Sequence, residues 1–103
     1  MEPDLEFQIK EYIENIPYEG EEKVQILDMS ESPSLGTGCR VVAGSLPKCK
    51  KLREIHLSQC DIQDAGAKVL FNALIKHQDL HVVNFDNNLL TDACLDQLYI
   101  LLQ

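Results

Sequence analysis

A chain of 103 residues is long enough for one domain with a modest core and too short to carry a separate catalytic domain beside it. Its hydrophobic fraction of 45% and charged fraction of 25% are those of an ordinary folded protein, and no apolar run approaches the roughly 18 residues of a membrane span. The net charge of −8 is held by residues 1–31, where ten acids face only Lys10 and Lys23, a skew that argues against a nucleic-acid backbone as the main partner.

The N-terminus has neither a basic start nor an apolar run, so it does not read as a secretory signal, and the expected location is the cytoplasm, with the nucleus left open. Cys39, Cys49, Cys60 and Cys94 show no Cys-x-x-Cys pair and no zinc spacing, and they read as free, buried thiols.

Leu5, Ile9, Tyr12, Ile13 and Ile16 recur at helical spacing, which predicts a helix from about Asp4 to Asn15 that Pro17 stops. The loop of residues 17–23 follows. Residues 1–23 read as an acidic N-terminal capping helix and loop, or as the helical half of an irregular preceding repeat. Their acids are either the solvated face of that cap, the plainer reading, or a docking surface for a basic partner.

From Val24 onward the chain repeats itself every 28 residues. Leu52, Ile55, Leu57, Cys60 and Ile62 return as Leu80, Val83, Phe85, Asn88 and Leu90, and Val24, Leu27 and Met29 fit one period earlier. Counting Val24, Leu52 and Leu80 as position 1, positions 4 and 6 are two residues apart and apolar in every repeat, which predicts a strand of about four residues with one face inward. Positions 19 and 23 are Val42/Leu46, Leu70/Leu74 and Leu98/Leu102, the spacing of one helix face. Between them, Asp64 and Thr91-Asp92 are N-cap types, and Gly36-Thr37-Gly38 holds the same place in the first repeat.

Each repeat is therefore strand, turn, helix and a polar return loop, over residues 24–51, 52–79 and 80–103. Right-handed crossovers repeated in this way put a parallel sheet on one side and helices on the other, and the wider helical layer bends the stack into an arc. At position 9 (Ser32, Cys60, Asn88) the chain turns inward, so backbone groups need either a polar side chain or a compact residue. Position 15 (Gly38, Gly66, Cys94) is small where the helix start passes close to neighbouring backbone.

The run Leu52, Ile55, Leu57, Cys60, Ile62, Asp64, Gly66, Ala67, Leu70 and Leu74 closely resembles a leucine-rich repeat of the ribonuclease-inhibitor-like subtype. The resemblance covers residues 24–103, about three repeats. It departs at Cys94, where glycine is usual, and at Ser34, with Leu35 one residue late. It implies an α/β solenoid with a short curved parallel sheet on the concave side and helices on the convex side. It also implies binding of another protein across the concave face.

Strand alternation places three columns on that face: Ile26/Glu54/Val82, Asp28/His56/Asn84 and Ser30/Ser58/Asp86. These nine are the candidate partner-binding residues. No catalytic residue, metal ligand or cofactor is assigned. A thiol–imidazole pair of Cys60 and His56 is opposed by the register, which turns Cys60 to the core and His56 to the concave face. His77 and His81 flank a surface loop and read as solvated, and the basic run Lys48 to Arg53 reads as a solvated return near a helix C-terminus. The leading expectation is a non-enzymatic protein-recognition module. The alternatives are a regulator of an enzyme, as in Ran GTPase activators or ribonuclease inhibitor, and a repeat segment of a longer array, as in NOD-like receptors or tropomodulins.

Overall fold

The computed structural model describes residues 4–94 of the chain; the helical positions Leu98 and Leu102 of the third repeat lie outside them. The first element is α1 (Leu5–Glu14), where the Asp4 side chain accepts the Glu6 N–H and Asn15 closes the far end. Pro17, two residues beyond Asn15, fits the stop expected of it. Three strands follow, β1 (Gln25–Asp28), β2 (Leu52–His56) and β3 (Val82–Asn84), in the spatial order β1-β2-β3 and all parallel. Helices α2 (Leu35–Ser45) and α3 (Asp64–Leu74) form the crossovers, and short 3₁₀ turns occupy Leu46–Lys48 and Asp92–Cys94. The parallel sheet and flanking helices are the α/β arrangement expected from the period.

The core lies between sheet and helices. Leu27, Leu52 and Ile55 come from the strands, Leu57 directly follows β2, and Leu35, Val42, Leu46, Leu70, Phe71 and Leu74 come from the helical side, all at most 2% exposed. Burying each such side chain stabilises the fold by about 1.5–3 kcal/mol. Ile9 and Ile13 extend this core into α1, while Tyr12, which shares their helical spacing, is exposed. All four cysteines are free and buried, and burial is the main reason that the Cys39, Cys49 and Cys60 thiols are pushed above their ordinary pKa.

The helix starts differ from the expectation. Asp64 is the first residue of α3 and not its N-cap, which is Gln63 without a side-chain cap bond. The Asp64 carboxylate reaches the next repeat instead, accepting the Thr91 N–H at 2.8 Å and the Thr91 hydroxyl. These bonds hold its pKa below the ordinary carboxylate value. Gly36-Thr37-Gly38 lies inside the first turns of α2. A Cβ at Gly36 would stand 2.5 Å from the Asp61 carbonyl oxygen, and one at Gly66 would stand 2.6 Å from Cys39 Sγ. At position 15 the close neighbour is thus a side chain of the preceding unit, not its backbone: Ile9 for Gly38, Cys39 for Gly66.

The turns after β1 and β2 are each closed by the following repeat. Asn88 Oδ1 accepts the N–H groups of Cys60 and Ile62 at 2.8 and 3.1 Å, and its Nδ2 donates to the Leu57 carbonyl at 2.7 Å. Cys60 Sγ donates to the Met29 carbonyl of the repeat before, 3.2 Å away. Position 8, which the sequence pattern left unremarked, is left-handed in every repeat: φ is 62° at Glu31, 56° at Gln59 and 59° at Asn87. At the same position the Glu31 and Gln59 N–H groups donate to the Ser58 and Asp86 carbonyls of the following repeat, at 2.7 and 3.0 Å.

Candidate functional site: the open face of the sheet

The sheet's open face is built by strand alternation. On β1, Gln25 and Leu27 enter the core while Ile26 and Asp28 stand on the opposite face; on β2 a register shift lets both Leu52 and Ile55 enter the core, with Glu54 and His56 opposite. Parallel pairing then sets the rows: Ile26 lies beside Glu54 and Glu54 beside Val82, and Asp28 lies beside His56 and His56 beside Asn84. Beyond the strand ends, the Ser58 N–H donates to Ser30 Oγ at 3.2 Å, which links the next row.

The nine candidates differ in how free they are. Asp28 Oδ1 and Asn84 Oδ1 each accept the backbone N–H two residues on, from Ser30 at 3.1 Å and from Asp86 at 3.0 Å. These side chains therefore fix the strand exits as well as facing outward. On the central strand, His56 Nε2 and Glu54 Oε1 are 3.0 Å apart and both partly buried, a pair of polar groups held in one geometry at the middle of the face. Val82 and Asp86 are exposed, Ser58 is half-buried, and Ile26 is half-buried beside α1.

His56 and Cys60 do not share a hydrogen bond among the described residues. His56 pairs with Glu54, and Cys60 Sγ donates to the Met29 and Ser58 carbonyls. His77, expected to be solvated, is half-buried, with Nε2 2.8 Å from the Leu46 carbonyl and Nδ1 3.3 Å from the Ala73 carbonyl, so it ties the end of α3 to the preceding repeat. The acidic cap and the basic run meet: Glu14 pairs with Lys48 at 2.5 Å and Glu22 with Arg53 at 2.7 Å.

Two residues that join the cap to the array, Tyr12 and Gln25, were missed by sequence reasoning. The Tyr12 hydroxyl donates to the Asp28 carbonyl at 2.7 Å, and buried Gln25 bridges cap and array, donating from Nε2 to the Ile16 carbonyl and accepting the Lys51 N–H. Tyr12 carried no local signal, since its partner is 16 residues away. Gln25 is the polar residue beside Val24 at the array's first strand, where a cap has to be joined.

Comparison with known proteins agrees with this geometry. A family model described as Leucine Rich repeat matches residues 48–71. Human "NACHT, LRR and PYD domains-containing protein 13" is 32% identical over 76 residues, which is 74% of this chain and 7% of that protein. The mouse protein "NACHT, LRR and PYD domains-containing protein 4C" is 39% identical over 64 residues, 60% of this chain and 6% of its own length. The chain thus spans less than a tenth of these relatives. Among solved structures, the tropomodulin C-terminal domain of Caenorhabditis elegans superposes with a TM-score of 0.68 at 17% identity, covering 92% of this chain and 55% of that one. Leiomodin-1 Actin-Binding Site 2 superposes at 0.73 with 15% identity, covering 98% and 57%. The 28-residue period, the parallel sheet with its helical crossovers and the matched repeat together make this chain a leucine-rich repeat protein.

Proposed function

We propose that the chain is a non-catalytic protein–protein recognition module whose open sheet face receives the partner. The residues that carry binding in this reading are Ile26, Asp28, Ser30, Glu54, His56, Ser58, Val82, Asn84 and Asp86. Residues 1–23 serve as the cap and residues 24–103 as the array, acting in the cytoplasm. The supporting observation is the strand register, which sets side chains of three strands side by side, with the Glu54–His56 pair at the centre and exposed Val82 beside it. Such a surface offers apolar area and preset polar groups, the combination interface cores use.

A second reading, that this module is a repeat segment working within a larger protein, is favoured by the 7% of the human relative that it spans. A role as regulator of an enzyme has no residue here to carry it. The likeness to the leiomodin-1 segment, at 15% identity, concerns the fold alone.

The test is affinity purification from cell extract with the tagged chain and its His56→Ala/Asn84→Ala variant, folding being followed by circular dichroism. The expected result is loss of the captured partner by a variant that still unfolds cooperatively. Retention of every partner would remove the open face as the binding surface.

A further inference from the structure

A further feature lies where α1 meets β1, outside most of the face described above. It is a groove of about 660 Å³ with Ile16, Pro17 and Ile26 among its apolar lining and with the carboxylates of Glu11, Glu19 and Asp28 around them. No lysine, arginine or histidine lines it. Three other acids of the N-terminal segment are matched, Glu6 by Lys10, Glu14 by Lys48 and Glu22 by Arg53. Glu11, Glu19 and Asp28 form no ion pair among the described residues, so the groove is an uncompensated negative site over an apolar lining.

The backbone beside it is also set for pairing. β1 is an edge strand. Gln25 and Met29 direct their N–H groups inward, to the Lys51 and His56 carbonyls at 2.8 and 3.0 Å. The alternate residues face outward: Val24 exchanges two backbone bonds with Glu19, at 3.0 and 2.7 Å, and the Asp28 carbonyl takes the Tyr12 hydroxyl. Ile26 stands between these two closed points. By the alternation of a parallel ladder, its N–H and C=O point outward to the groove side.

We propose that this groove receives an extended basic segment of another protein. The segment adds alongside Ile26 as a short strand, rests apolar side chains on Ile16, Pro17 and Ile26, and places a lysine or arginine among Glu11, Glu19 and Asp28. The open edge selects an extended backbone, and the unmatched carboxylates select its charge. The inference extends the open-face reading, with which it shares Ile26 and Asp28.

The test uses the whole chain and two fluorescein-labelled peptides, one alternating leucine with arginine and the other leucine with glutamate. The leucine–arginine peptide is expected to move the amide NMR signals of Glu19, Ile26 and Asp28 and to slow hydrogen exchange at Ile26. Its binding weakens as salt is raised. Affinity falls about fivefold or more in the Glu11→Gln/Glu19→Gln/Asp28→Asn variant, whose amides keep the side-chain shape. The leucine–glutamate peptide leaves the spectrum unchanged.

Equal binding of both peptides, or undiminished affinity in the triple variant, overturns the proposal. So does an Ile26 perturbation that depends on protein concentration without peptide, since the occupant is then a second copy of the chain. Signals that move only at His56 and Asn84 also overturn it and leave the open-face reading intact. Failure of that reading is seen separately, in the pull-down with the His56→Ala/Asn84→Ala variant.

Discussion

Asn88 in the third repeat closes a turn that belongs to the second: its Oδ1 takes the Cys60 N–H at 2.8 Å while its Nδ2 donates to the Leu57 carbonyl at 2.7 Å. Replacing Asn88 by alanine strips a partner from the N–H groups of Cys60 and Ile62 and from the carbonyls of Leu57 and Phe85. Each buried backbone group left unsatisfied costs about 1–3 kcal/mol, so Asn88→Ala is expected to destabilise by at least about 2 kcal/mol. Urea denaturation checks this; a midpoint within error of the parent chain would mean that water replaces the amide without loss.

Position 8 offers the opposite sign. Glu31 and Gln59 adopt left-handed φ values of 62° and 56°, a conformation that costs an ordinary L-residue roughly 1–2 kcal/mol and glycine little. Glycine's greater freedom in the unfolded chain offsets part of this gain. Gln59→Gly is therefore expected to raise stability by up to about 1 kcal/mol, read as a Tm increase of several degrees. Asn87→Gly should change little, because asparagine already tolerates this region.

The Asp64–Thr91 contact makes stability depend on pH in acid. The Thr91 hydroxyl and N–H hold the Asp64 pKa below its unfolded value of 3.8, so the unfolded state takes up this proton first as pH falls. The contribution is fully present above that value and is lost as pH drops through the lower folded pKa. Thr91→Val removes the hydroxyl and should narrow the difference in stability between pH 5 and pH 2, measured by thermal unfolding at each pH. An unchanged difference would remove Thr91 as the cause.

Close approach of neighbouring repeats predicts a clash at Gly36. An alanine there gains about 1 kcal/mol of helix propensity but sets its Cβ 2.5 Å from the Asp61 carbonyl oxygen, which is backbone and cannot swing aside. A net loss of about 1–3 kcal/mol is expected. Gly44, also in α2 but with nothing near its would-be Cβ, is the internal control: Gly44→Ala should stabilise. Equal Tm changes for the two variants would contradict the packing described.

The inward role of Leu57 is tested by charge. It is fully buried, so Leu57→Asp places an unpaired carboxylate in the core and should cost more than about 4 kcal/mol, enough to abolish a cooperative unfolding transition. Undiminished thermal stability would refute the assignment.

What was legible in the sequence was whatever the period itself enforces. Leu27, Ile55 and Leu57 are buried, and Asp28, His56 and Asn84 lie in one row, because a shift of 28 residues carries each strand onto the next. What was not legible depends on reach between repeats. Asp64 looked like a cap because its type suits one, yet its carboxylate found a better partner 27 residues on. His77 looked solvated because its loop is polar, yet a carbonyl of the previous repeat stands 2.8 Å from its ring. The left-handed backbone at Glu31 and Gln59 had no glycine to announce it.

The closure of the first two turns by the following repeat also makes each of those units lean on the next. Glu31 and Gln59 donate forward, and Cys60 and Ile62 lean on Asn88, so the second repeat draws part of its own satisfaction from the third. A cut between repeats consequently leaves unmet groups on both of its sides. The second repeat loses the acceptors of its Gln59, Cys60 and Ile62 N–H groups, and the third loses those of its Asn88 amide and of its Leu89 and Thr91 N–H groups. Unfolding that begins at the third repeat should spread backward through this chain of borrowed partners.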